Sequence, residues 1–368
     1  MPAARTPGDG PPLEAFASVF QVREVRTDGD RLLYVGRPTV PADALEREVY
    51  PLFREHGYDV SLQRHGPAGP TAHESYALVA RPQSVGLDGV PWTNLALALA
   101  TVVTTLFVGS LWYRGNAFAD PASALRAWPF TAAVLGVIGT HELGHYAMSR
   151  YHRVQASLPY FIPVPIPPFG TMGAVIKMEG RIPDRKALFD IGVAGPLVGL
   201  VATLVVTVIG LHLPPVENPF LIQFNHPPLL AAIAGVTGRQ LTYADPGLIF
   251  NPVVFGGWLG AFLTFLNLLP VGQLDGGHVV RAMFGERTET IGAAVPAGLF
   301  GLGAFQWLSR SSDVTLVWFL WGALALGLAY AGPTTPISDE PLDRRRMLLG
   351  VATFLLGVAC FTPVPVQG

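Results

Sequence analysis

The sequence predicts a polytopic α-helical membrane protein of about seven spans, with a small soluble α+β domain at its N-terminal end. Three observations carry that prediction. Hydrophobic residues make up 50% of the 368 positions and charged residues only 14%, far from the balance of a soluble globular domain. From Pro91 onward, apolar stretches of about 20 residues recur, long enough for a hydrocarbon core of about 30 Å. Before Pro91 the chain instead shows short alternating runs and one amphipathic segment, the signature of a half-buried sheet with a helix on it. The formal net charge of −2 sets up no basic field, so nucleic acid is not an expected partner. Cys360 is the only cysteine, which excludes a disulfide framework and a thiolate cluster and leaves any metal to His, Asp or Glu.

Met1 to Pro12 is polar and rich in Pro and Gly, without a charged-then-apolar signal sequence, and is expected to be a disordered tail. Within the N-terminal domain, residues 1–90, strands are expected at Val19 to Val25 and Leu32 to Val35, followed by a helix from Asp43 to His56. Further strands are expected at Asp59 to Gln63 and Ser75 to Ala80. The order is β-β-α-β-β or, if the first pair is one bent strand, β-α-β-β. Nothing in this domain has ligand or nucleophile spacing, so a docking or folding module with a regulatory partner is the expected role.

The remainder, residues 91–368, is expected to form the transmembrane domain. Its spans are expected at Trp92 to Tyr113, Trp128 to Ser149, Leu188 to Leu211, Val253 to Leu269, Ile291 to Leu308, Val314 to Ala331 and Met347 to Phe361, the last being short enough to be partial or tilted. The third contains Ala194 to Gly199, a run of small residues that lets a neighbouring helix approach closely. Ile222 to Val236 is apolar but broken by Pro227 and Pro228, and reads as an interfacial or re-entrant piece. The loop after the second span carries Arg150, Arg153, Lys177, Arg181, Arg185 and Lys186, whereas the loop after the third offers only Arg239. By the positive-inside rule the former is cytosolic, which places the N-terminal domain on the cytosolic side of the cell membrane as well.

His141 and His145 lie four residues apart within the second span, so a helix stacks them on one face where they can grip one ion. Glu142 is turned about 100° away, outside the coordination sphere yet within reach of a water there. Two neutral imidazoles suit zinc, and the carboxylate can take a proton from water and return it to a leaving amine. A catalytic zinc usually has three protein ligands. The candidate third is Asp275, in Asn267-Leu-Leu-Pro-Val-Gly-Gln-Leu-Asp275-Gly-Gly-His278, where Pro270 and the glycines must interrupt the fourth span. Both motifs sit toward the cytosolic ends of spans running in the same direction, so they reach similar depth. Ionisable residues at membrane depth generally mark a site. His278 reads as the start of an interfacial helix and His152 as part of the basic loop.

His141-Glu142-Leu143-Gly144-His145, taken with Asn267 to Pro270 and Leu274-Asp275-Gly276, resembles the site-2 protease family of intramembrane zinc metalloproteases. The segment Leu158 to Pro165, followed by Gly170 to Met178, looks like the branch holding archaeal members and the plastid yellow-green proteases. The resemblance implies a catalytic core at about residues 124–290, with one zinc per chain on His141, His145 and Asp275, Glu142 as general base, and Asn267 assisting at the scissile carbonyl. It also implies that the strand through Gly170, Gly173, Ala174, Val175 and Ile176 binds substrate, because a transmembrane helix must unwind to expose its peptide bonds and a strand edge can hold the extended chain. The expected partners are single-span membrane proteins and the lipid bilayer. A transporter or a proteolytically dead metal scaffold is the competing reading, disfavoured by the lack of a repeated pair of interrupted helices and by the retention of Glu142.

Overall fold

A computed structural model describes residues 10–65, 75–83, 89–178, 181–220, 223–310 and 316–367. Residues 1–9 of the expected tail lie outside the described residues, as do Ile222 and Val314, where the interfacial piece and the sixth span are expected to begin.

The N-terminal domain has the β-β-α-β-β order: β1 (Phe20–Asp28), β2 (Arg31–Pro38), α1 (Ala42–Glu55), β3 (Tyr58–His65) and β4 (Ser75–Pro82). The first pair is two strands, because Gly29 takes a positive φ of 64° and turns the chain so that Asp28 pairs with Arg31. All pairings are antiparallel, in the order β1-β2-β4-β3. Leu45, Val49, Tyr50 and Phe53 recur at helical spacing on one face of α1 and are buried against Leu32, Tyr34, Tyr58 and Leu78.

The rest of the chain is mostly helical. The helices are α2 (Trp92–Trp112), the short α3 (Pro121–Leu125), α4 (Trp128–Tyr151), α5 (Arg185–Leu211), α6 (Pro228–Thr237), α7 (Pro252–Asn267), α8 (Asp275–Phe284), α9 (Thr288–Arg310), α10 (Leu316–Ala331) and α11 (Arg344–Ala359). Every expected span coincides with a helix, but the count of seven crossings is not reached on length and composition. Three helical runs among the described residues are long and apolar enough to cross a membrane: α2, α5 and the run Asp275–Ser309. That last run is not continuous, since Gly285 has a φ of 62° and a 3₁₀ turn separates α8 from α9. With 16 residues each, α7, α10 and α11 are only about 24 Å long at 1.5 Å per residue. The interfacial piece is the ten-residue α6.

At the centre, α4, α5 and α7 pack at close range because small residues face one another. A Cβ on Gly144 of α4 would stand 2.7 Å from the Ala194 carbonyl oxygen of α5, and one on Gly256 of α7 would stand 2.7 Å from Ala133 Cβ of α4. At the N-terminal end of α4, Trp112, Phe130, Phe224, Phe255 and Trp258 form one aromatic cluster. The indole nitrogens of Trp112 and Trp258 donate to the carbonyls of Pro168 and Asn225 at 3.0 and 2.8 Å, so the polar edge of each ring is satisfied while the rest is buried.

Candidate metal centre

His141 and His145 stand one turn apart near the C-terminal end of α4, facing α5. Their Nε2 atoms are 3.2 Å from each other. Asp275 closes the triangle, with Oδ2 3.2 Å from His141 Nε2 and Oδ1 3.2 Å from His145 Nε2. Three features of this cluster suit a cation. Zinc–ligand bonds of about 2.0 Å at tetrahedral angles separate the ligand atoms by about 3.3 Å, and the triangle has that size. Asp275 Oδ2 is buried without a hydrogen-bond donor, a costly state for a carboxylate oxygen unless a cation completes it. His145 Nδ1 lies 2.8 Å from the Ile191 carbonyl oxygen, so Nδ1 carries the proton that it donates there and Nε2 keeps its lone pair for an ion. Among the described residues, these three form a group able to hold a metal.

Local sequence explains how two distant segments meet. After α7 the chain must reverse sharply, and Pro270 with Gly272, whose φ is 54°, does this. There is no room for side chains in the turn: a Cβ on Gly272 would stand 2.4 Å from the Leu328 carbonyl oxygen, and one on Gly277 would stand 2.3 Å from the Gly272 carbonyl oxygen. Leu274 is extended and Asp275 then begins α8, so the carboxylate sits at the positive end of a helix dipole. On the facing helix, Gly195 of α5 lies directly under the His145 ring and Gly199 is 3.0 Å, measured from an added Cβ, from His141 Nδ1. The Ala194 to Gly199 run therefore makes space for the two imidazoles as well as for close packing.

Glu142 is buried and lines a cavity of about 190 Å³ together with both histidines, Asn267 and Asp275. Asn267, the last residue of α7, points its side-chain amide at His141 Nε2 at 3.2 Å instead of at local backbone. The expected strand at Gly170 to Met178 is shorter than that: β6 is Thr171–Val175, paired antiparallel with β5 (Tyr160–Pro163), a strand in a Pro-rich stretch that cannot form a regular helix. Ala174, Val175 and Ile176 line the metal cavity. Gly170 and Gly173 do not. Gly170 has a φ of 82° and packs against Thr105 of α2, while its carbonyl accepts from Thr104 at 2.8 Å; Gly173 has a φ of 102° in the strand.

Two groups near the centre escape the sequence reading. His278 is buried in α8 with Nε2 3.0 Å from Thr334 Oγ1. His152 does not belong to a solvated basic loop: its Nε2 is 2.9 Å from Asp190 Oδ2. The Asp190 carboxylate also receives Arg346 Nε and Nη2, each at 2.8 Å, a bidentate pair joining α5 to α11. The only sequence signal for it was an aspartate inside an apolar span.

Residues 129–300 match the family model for Peptidase family M50. The chain is similar to three groups of plant proteins. It is 28% identical over 241 residues to the protein named "Probable zinc metalloprotease EGY2, chloroplastic" of Oryza sativa subsp. indica, covering 64% of this chain and 42% of that one. With "Probable zinc metalloprotease EGY1, chloroplastic" of Arabidopsis thaliana it shares 30% over 240 residues, covering 62% and 42%. With "Probable zinc metallopeptidase EGY3, chloroplastic" of the same plant it shares 27% over 373 residues, covering 93% and 62%, so that similarity includes the N-terminal domain. The chain thus spans well under half the length of the first two relatives.

Proposed function

We propose that this chain, whose residues 129–300 belong to peptidase family M50, is a zinc metalloendopeptidase that hydrolyses peptide bonds within the transmembrane segments of single-span membrane proteins. The observation that carries the reading is the 3.2 Å triangle of His141 Nε2, His145 Nε2 and an Asp275 carboxylate, drawn together from α4 and α8. These three residues would hold one zinc per chain. Zinc, when bound, supplies a Lewis acid and acidifies a water molecule at neutral pH.

The chain's own residues do the rest. Ile191 holds the His145 ring by its Nδ1 and so fixes the direction of Nε2. Glu142, beside the ligands in the cavity, accepts a proton from water and returns it to the leaving amine. Asn267 offers its amide to the scissile carbonyl, where a positioned donor stabilises developing charge. The edge at Ala174 to Ile176 holds the unwound substrate by backbone hydrogen bonds. Of the expected strand residues, Gly170 and Gly173 serve this edge through backbone conformation only. Cleavage near the cytosolic leaflet of a cell membrane, with the N-terminal domain on the same side, fits the distribution of arginine and lysine in the loops and would release a fragment for signalling or quality control.

The test uses purified protein in proteoliposomes with a single-span substrate. Wild type should carry about one zinc per chain, the stoichiometry of a three-ligand site, and lose cleavage on chelation. Glu142→Gln should retain zinc and lose cleavage by at least about 100-fold, the usual scale of acid–base catalysis, whereas Asp275→Ala should lose zinc. Full cleavage by Glu142→Gln would sink the peptidase mechanism and leave a metal-holding scaffold.

A further inference from the structure

A second, larger cleft, of about 760 Å³, lies between the N-terminal domain and the metal centre. One wall is α1, through Asp43, Glu46 and Arg47; the other runs from Ile176 to Met178; the segment Pro333 to Ile337, between α10 and α11, closes it. Ile176, Met178, Gln273 and His278 line both this cleft and the metal cavity, so the two adjoin. We propose that the cleft receives the polar, water-side flank of the substrate in extended form, making α1 of the N-terminal domain part of the substrate-binding surface. This rests on the peptidase reading above.

Chemistry changes along the path in the sense that such a substrate requires. Beside the metal ligands the lining is apolar, from Ala174, Val175 and Leu274. Farther out it is charged with both signs, from Asp43, Arg47 and Lys177. A chain leaving the bilayer core makes the same transition, from apolar side chains to polar ones. Mixed charge on the walls favours a polar peptide of no particular sign.

The backbone beside the cleft is already extended. Past β6 the chain reaches Met178, where it bridges Ala156 antiparallel, and the Lys177 carbonyl accepts from Ser157 N at 2.9 Å. An extended segment lying on β6 therefore has a track that leads outward between Ile176–Met178 and α1.

The α1 wall is fixed to the membrane domain and does not hang from a linker. Glu46 pairs with Arg181 at 2.8 Å, Tyr50 donates to the Arg181 carbonyl at 3.1 Å, and Arg54 donates to the His152 carbonyl. Ile337 packs into the core of the N-terminal domain, while Ile337 N and Ser338 N donate to the carbonyls of Ile182 and Pro183 at 3.0 and 2.9 Å. The mouth of the cleft thus has a defined width.

Cysteine cross-linking tests this directly, since Cys360 is the only native cysteine and is buried. Full-length Glu142→Gln protein in proteoliposomes would carry Arg47→Cys, Val175→Cys or, as a distant control, Arg239→Cys. The probe is a single-span peptide with a polar tail and one cysteine scanned through the span and the first ten or so tail residues, which cover about 33 Å when extended. Val175→Cys should form a disulfide with span positions. Arg47→Cys should do so with tail positions, at least about tenfold above Arg239→Cys, as expected when docking raises effective concentration. Cross-links at Val175→Cys with none above control at Arg47→Cys would overturn the cleft assignment alone. No cross-link at either would overturn the peptidase reading, and this inference with it.

Discussion

His145 shows how much one side chain depends on residues that carry no chemistry themselves. Its Nε2 faces the metal position because Nδ1 is tied to the Ile191 carbonyl, and its ring fits because position 195 has no Cβ. Gly195→Ala would push a methyl group into the imidazole, rotate it off the Ile191 carbonyl and remove a ligand. Loss of the supporting contact alone typically costs about 10- to 100-fold in metal affinity, so zinc binding by this variant should fall by about 100-fold, measured by competition with a chromophoric chelator. Gly136→Ala, on α4 with the two histidines, meets nothing within 4 Å and should bind zinc normally. Equal zinc affinity in the two variants would mean that the glycine is not making room for the ligand.

Among elements, the helix carrying the ligand pair is held at its C-terminal end by charge. Asp190 of α5 receives Arg346 of α11 in a bidentate pair and His152 from the end of α4. The aspartate side chain is 15% exposed and the arginine 32%, so water screens the pair only in part and its loss leaves a mostly buried carboxylate under-partnered. Arg346→Ala should lower stability by about 1–3 kcal/mol, the cost of an unsatisfied buried group, seen as a lower thermal-unfolding midpoint in detergent. Combining it with Asp190→Asn should cost less than the sum of the two single changes. Strict additivity would show that the contact contributes nothing. The turn between α7 and α8 works by the opposite means: Gly272, Gly276 and Gly277 let backbone pack on backbone, and Asp275 reaches the histidines only because no side chain intervenes.

For the whole molecule, the decisive quantity is which side of the bilayer each loop occupies. Arg47 on α1 and Arg239 after α6 are both exposed, and the topology proposed from loop charge puts them on opposite sides. In sealed vesicles of one orientation, a membrane-impermeant maleimide added outside should label only one of Arg47→Cys and Arg239→Cys, with buried Cys360 silent. Labelling of both from one side would refute the topology, and with it the cytosolic assignment of the metal centre. The same experiment bears on the number of crossings, since three helical runs satisfy length and apolarity and the 16-residue helices α7, α10 and α11, shorter than the hydrocarbon core, must thin the bilayer locally to cross.

Much of this was legible in the chain. Helical spacing put His141 and His145 on one face, and alternating runs placed the strands and the helix of the N-terminal domain while leaving open whether the first pair was one bent strand, because local periodicity is a property of neighbours in sequence. Long-range proximity is not. Asp275 could be named as a third ligand from the interrupted fourth span and its depth, but its 3.2 Å approach to both histidines, the orienting of one of them by Ile191, the meeting of Asp190 with Arg346, and the cleft that α1 walls beside the metal cavity are all consequences of how helices stack. Residues up to 156 positions apart leave no periodic trace of their contact, and only the packed structure brings them together.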